Sequence, residues 1–173
     1  INGYEILRGA RLNIPVNLNG EWNLNFSAGY SFEIKALKVR MNPNFSYGFS
    51  NTPSIYDQIR NNNRSHRLSL RWGINSNISE NIDFNINTTT GYTHSENTSS
   101  EGSRLFNQGV NTNLRWSFWK DIVISGDYSF NYSHNKRQSN TTQSTNMLNL
   151  ALGKKLFKKK QGEIRFNAFD ILR

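Results

Sequence analysis

Cysteine is absent from the 173 residues, so no disulfide framework, thiolate metal site or cysteine nucleophile can be built. Apolar residues are scarce as well. Only 35% are hydrophobic, the mean hydropathy is −0.70, and no run approaches the roughly 18 apolar residues of a transmembrane helix. Helical periodicity is missing, and the patterned segments follow period two. No glycine-rich phosphate loop and no Gly-x-Ser-x-Gly elbow is present, and enzymatic activity is not expected. No secretory leader opens the chain. Ile1 begins in sequence of strand type, which reads as a mature chain or as a piece of something longer.

Low hydropathy does not by itself make the chain soluble. A strand that is apolar on one face and polar on the other averages to a hydrophilic value. Aromatic residues make up 13% of the chain, too many for a disordered tract.

The clearest pattern lies between Val110 and Tyr132. Val110, Thr112, Leu114, Trp116 and Phe118 alternate with Asn111, Asn113, Arg115 and Ser117. After Trp119, Lys120 and Asp121 the pattern resumes. Ile122, Ile124, Gly126, Tyr128, Phe130 and Tyr132 alternate with Val123, Ser125, Asp127, Ser129 and Asn131. Successive side chains of a strand point to opposite faces, so each arm has one apolar and one polar face. Soluble strands usually run about 5–6 residues, whereas a strand tilted across a bilayer needs about 9–11. These arms have the membrane-spanning length.

The rest of the chain repeats the pattern. Alternation covers 10–18, interrupted by Pro15, then 22–32 and 37–49, with Asn19-Gly20 and a reversal near Ile34 between them. It returns at 68–75, 82–92, 148–153 and 164–169. Nine strands are expected. Short reversals fall near Ile34, Glu80 and Lys120, and long polar loops are expected over about 51–65, 94–107 and 134–145. Short turns at one rim and long loops at the other are the pattern of outer-membrane barrels. The fold expected is therefore all-β: an antiparallel up-and-down transmembrane barrel. Nine strands is an odd number and the chain stops at Asp170-Ile171-Leu172-Arg173 without a closing turn. Residues 1–173 thus read as one barrel segment, incomplete at both ends and without a plug domain.

Side-chain parity then divides the strands. Leu24, Phe26, Leu70, Trp72 and Phe84 are expected to face lipid, together with Leu114, Trp116, Ile124, Tyr128 and Phe130. Arg40, Arg71, Asp83, Arg115 and Asp127 are expected to face the lumen. Trp and Tyr near strand ends fit aromatic girdles at the two membrane boundaries.

The net charge of +9 and pI of about 10.0 raise nucleic-acid binding, but no recognition motif or basic helix accompanies them. The densest run is Lys154, Lys155, Lys158, Lys159 and Lys160, in a turn. No nucleic-acid partner is expected. His66, His94 and His134 fall near strand ends without carboxylate spacing, so no metal site is assigned. Asp83 and Asp127 could approach within acid–base distance across one strand, but pairing with Arg71 and Arg115 is the plainer account. No cofactor is expected.

Three stretches add a family likeness. The run from Arg11 to Trp22 (RLNIPVNLNGEW), the run from Asn77 to Phe84 (NISENIDF) and the end from Leu152 to Leu172 resemble Bacteroidetes outer-membrane β-barrel proteins of the TonB-dependent receptor type. The resemblance implies a 22-stranded barrel with a plug and energised uptake of an extracellular ligand. It also implies TonB as a partner, outer-membrane lipid around the wall, and a surface lipoprotein as a further partner. The plug and the TonB box have no counterpart here. Two other readings stay open: a soluble all-β binding module, since turn signals recur about every 40 residues as in propeller blades, and a barrel fragment held by assembly machinery.

Overall fold

The structure, a computed structural model, describes residues 15–56, 59–76, 79, 81–119, 121–137, 140–157 and 162–172. Among them are nine strands and no helix. These are β1 (Trp22–Gly29), β2 (Phe32–Ile34), β3 (Val39–Tyr56), β4 (Ile59–Ser76), β5 (Ile82–Asn97), β6 (Ser100–Phe118), β7 (Ile122–Lys136), β8 (Thr141–Leu156) and β9 (Gly162–Ala168). They form one antiparallel sheet in the order β1-β3-β4-β5-β6-β7-β8-β9, with β2 also on β3, and the sheet does not close on itself. From β3 onward each strand pairs with its sequence neighbour, the arrangement of consecutive hairpins.

Turn chemistry fits the links. Between β6 and β7 only residues 119–121 intervene, and Asp121 takes the left-handed conformation at φ 63°. Aspartate tolerates that region better than most residues, and a three-residue hairpin loop uses it as its last position. Lys38 plays the same part at φ 50° where the turn after β2 enters β3.

Pro43 explains the gap between β1 and β2. The two short strands lie end to end along one edge of β3, where β1 pairs with residues 44–51 and β2 with residues 39–41. Opposite the gap, the Tyr30 N–H donates to the Pro43 carbonyl at 3.0 Å. Pro43 has no N–H to return, so the ladder loses a bond there. Because N–H and C=O of one residue point the same way, its missing donor is turned from β4, and the β3–β4 register runs unbroken from Val39 to Tyr56.

Several expectations are corrected. The polar stretches 51–65, 94–107 and 134–145 are not long loops. β3 and β4 are separated by residues 57–58 alone, β5 and β6 by 98–99, and β7 and β8 by 137–140. These stretches are the continuations of strands, paired by backbone bonds beyond the apolar part. Polar residues with low strand preference are carried into the ladder by the pairing already formed next to them. Residues 10–14 of the first expected strand lie outside the described residues, and 15–18 are not in a strand. The span 22–32 is broken at Tyr30 and Ser31. β9 stops at Ala168, and Ile171 and Leu172 make a turn in which the Ile171 N–H donates to the Leu148 carbonyl at 2.9 Å.

The sheet has almost no core. Among the described residues the buried apolar side chains are Val123 at 1% exposure and Val39 at 8%. Trp22, Phe26, Tyr30, Trp116, Leu152 and Phe166 are exposed. A soluble domain covers the apolar face of a sheet with a second layer, and none is present among the described residues. Nor does the sheet split into four-stranded blades, so the propeller-like reading has no structural counterpart.

Candidate functional site

The functional surface is the sheet itself, with its two faces. Directly paired residues share a face, so the register sorts the side chains. One continuous row reads Phe84, Leu114, Gly126, Leu150 and Ala168 across β5 to β9. The next reads Ile82, Trp116, Ile124, Leu152 and Phe166. Nearer the other end, Phe26, Tyr47, Leu68, Tyr92 and Phe106 form a row from β1 to β6. Leu24 pairs with Phe49, Leu70 with Phe45, Trp72 with Pro43, Tyr128 with Thr112 and Leu148, and Phe130 with Val110. All ten residues grouped as apolar by parity therefore lie on one face. Gly126 has a packing role here: a Cβ at this position would come within 3.1 Å of Leu150 Cδ2.

The opposite face is a field of amides, hydroxyls and charges. Arg40, Asn75, Asn85, Asn113, Asp127 and Asn149 stand in one row across β3 to β8. Asn85 Nδ2 donates to Asn75 Oδ1, and Asn113 Nδ2 donates to Asp127 Oδ1 at 2.7 Å. The Asp170 N–H donates to Asn149 Oδ1 at 3.0 Å. Arg71 pairs with Asn44 and Thr89 in a parallel row. Asp83 is the cross-strand partner of Arg115, while Asp127 sits opposite Asn113, so the two acids occupy different rows with β6 between them. Arg165 Nε donates to Glu163 Oε1 at 3.0 Å near the short-turn end. The five residues grouped as polar by parity thus share this second face.

The histidines do not converge on one point. His66 and His94 are direct partners across β4 and β5, whereas His134 faces Phe106 and Thr142. The Tyr47 hydroxyl lies 2.9 Å from His66 Nδ1, and His94 Nε2 lies 3.0 Å from Glu96 Oε1. All three are on the apolar face, His134 in the row of Tyr47, Leu68, Tyr92 and Phe106, and His66 and His94 one row beyond it.

Two features escaped the sequence reading. The first is a polar trio in the middle of the apolar face. Gln108 Nε2 donates to Thr88 Oγ1 at 2.8 Å and Gln108 Oε1 accepts from Thr90 Oγ1 at 2.5 Å. A glutamine opposite a threonine pair can only be recognised once β5 and β6 are in register. The second is the continuation of side-chain parity into the polar stretches, which puts Arg64, Arg104 and Lys136 on the apolar side.

The height of the apolar face is telling. β6 spans 19 residues. From Phe106 to Phe118 its apolar side covers roughly 40 Å at about 3.3 Å per residue, or about 30 Å of height at a tilt near 40°. That is close to the ~25 Å apolar band of outer-membrane barrels. A single antiparallel layer of neighbouring hairpins, apolar on one face, asparagine-rich on the other and coreless, is the wall of a transmembrane β-barrel. The chain belongs to the outer membrane protein beta-barrel family, whose family model matches residues 10–173. Searches among curated proteins and among solved structures gave no match. The protein therefore resides in the bacterial outer membrane, in contact with its lipid.

The polar trio yields a prediction. Gln108→Ala strips two threonine hydroxyls of their partner and is expected to cost about 1–2 kcal/mol in urea unfolding from lipid. Replacing the whole trio with Thr88→Val, Gln108→Leu and Thr90→Val is expected to be neutral or stabilising. Equal losses in both variants would contradict a trio satisfied within an apolar surround.

Proposed function

We propose that this chain is a portion of the barrel of an outer-membrane receptor and transporter, of the TonB-dependent type it resembles. The observation that carries the reading is the two-faced sheet, which among the described residues is uncovered and has an open edge at β1/β2 and another at β9. Open edges are not tolerated in hydrocarbon, so the wall continues in further strands, about 22 in all by the resemblance. Leu24, Phe26, Leu70, Trp72, Phe84, Leu114, Trp116, Ile124, Tyr128 and Phe130 then meet lipid. Arg40, Arg71, Asp83, Arg115 and Asp127 line the interior, where the plug of the same barrel and the passing ligand are held. The extended polar ends of β3 to β8 stand above the membrane as the ligand-facing rim. Uptake is coupled to TonB, and a surface lipoprotein covers the mouth, both by likeness to Bacteroidetes receptors. No catalytic, cofactor or nucleic-acid role is assigned.

The face assignment is tested by a paired substitution. Leu114→Arg, near the middle of the apolar face, is expected to cost about 2–4 kcal/mol in unfolding from lipid, and Asn113→Arg much less. Equal losses would reverse or abolish the assignment. The transport reading is tested by the coding sequence around these residues and by binding of the complete product to the periplasmic domain of TonB. A plug segment and saturable binding are expected. A complete product with no plug and no TonB binding would contradict it.

A further inference from the structure

Beyond the aromatic row, the apolar face ends in a band of cations. Phe49, His66, His94, Arg104 and Lys136 form one continuous row from β3 to β7. This row lies two residues, about 7 Å along each strand, past the row of Tyr47, Leu68, Tyr92 and Phe106. In the next row Arg64 stands between Asn51 and Glu96. Arg64, Arg104, Lys136 and Arg137 are all exposed. Two adjoining grooves run through this band. One is lined by His94, Glu96, Glu101, Arg104, Lys136 and Arg137. The other holds Arg60, Arg64, His66 and Glu96 beside Trp22.

The charge balance is positive. Arg60, Arg64, Arg104, Lys136 and Arg137 face the carboxylates Glu96 and Glu101, a formal excess of three. Glu96 is engaged by His94 at 3.0 Å, and Arg60 Nη2 donates to the Asn19 carbonyl at 2.7 Å. Among the described residues, Arg64, Arg104 and Lys136 make no ion pair. These cations come from three successive hairpins, so the band follows the rim of the wall and is not the product of one basic run. Their side chains are on the lipid side of the sheet, where an anion passing through the interior does not reach them.

We propose that this band binds the phosphate groups of a phosphorylated glycolipid of the outer leaflet. Its acyl chains lie along the apolar face and its phosphates meet Arg64, Arg104 and Lys136. Guanidinium groups give phosphate paired, charge-assisted hydrogen bonds, and lysine adds a point charge. Basic residues beside an anionic lipid surface hold it in this way. The inference rests on the face assignment proposed above.

The test uses the full-length protein in detergent, with retention of a diphosphorylated diglucosamine glycolipid followed by native mass spectrometry. The triple variant Arg64→Gln, Arg104→Gln, Lys136→Gln is expected to bind on the order of a hundredfold more weakly. A triple variant of the opposite face, Arg40→Gln, Arg71→Gln, Arg115→Gln, is expected to bind like the wild type. The dephosphorylated glycolipid is expected not to be retained, and millimolar inorganic phosphate not to displace the phosphorylated one. Unchanged binding by the first triple overturns the proposal while leaving the face assignment intact. Loss in the second triple alone overturns both. Displacement by inorganic phosphate marks a soluble-anion site and also overturns it. Heat-modifiable gel mobility checks folding. Should the triple variant not fold, Arg104→Gln and Lys136→Gln singly are each expected to weaken retention severalfold, and unchanged retention in both overturns the proposal.

Discussion

The backbone ladder is the interaction on which this structure depends. In hydrocarbon an unpaired N–H or C=O costs several kcal/mol, and no water is there to take its place. From β3 to β8 the interior strands are paired on both sides through long unbroken registers, the β5–β6 pair shifting only near its tip between Ser95 and Asn97. Where the ladder does lose a bond, at Pro43, the loss falls on the β1/β2 side, and that neighbouring strand is the one that breaks. With the strands held by backbone bonds, side chains need not build a core. Among the described residues two buried apolar side chains suffice, because lipid does on one face what a second layer does in a soluble sandwich.

The same ladder carries the strands past the apolar region. Leu68, Tyr92 and Phe106 close the apolar region, yet β4, β5 and β6 continue through largely polar residues beyond it, β5 and β6 as far as the turn at 98–99. The rim of the wall is thus a set of extended hairpins. Rim side chains keep the parity of the strand below, which is how histidines and arginines come to stand over an apolar surface. The net charge of +9 finds part of its structural place in this way, with cations at the rim, on the polar face and, as Lys154 and Lys155, near the end of β8.

Much of this was legible in the sequence wherever the apolar and polar alternation was strong. Val110–Phe118 and Ile122–Tyr132 could be assigned residue by residue because period two is a local signal. The division of Leu114, Trp116 and Ile124 from Arg115 and Asp127 followed from parity alone. What could not be read was non-local. Residues 51–54 and 60–65 show no apolar and polar alternation, so nothing in them announces a strand; they are strands because Phe45–Phe49 and Leu68–Trp72 have already been aligned. The break at Tyr30 depends on a proline thirteen positions away. The Thr88–Gln108–Thr90 trio and the His66–His94 pair exist only through register. Asp83 and Asp127, close enough in principle for paired chemistry, are kept in separate rows by that register too.

The central claim is that the apolar face meets lipid and the asparagine-rich face meets water. The absence of native cysteine allows it to be tested directly. Single substitutions Val110→Cys, Asn111→Cys, Thr112→Cys, Asn113→Cys and Leu114→Cys can each be spin-labelled in the protein reconstituted in bilayers. Collision rates with oxygen dissolved in lipid and with a water-soluble nickel chelate are then compared. The account predicts strict alternation, with positions 110, 112 and 114 open to oxygen and positions 111 and 113 open to the chelate. A reversed alternation, or none, would contradict it.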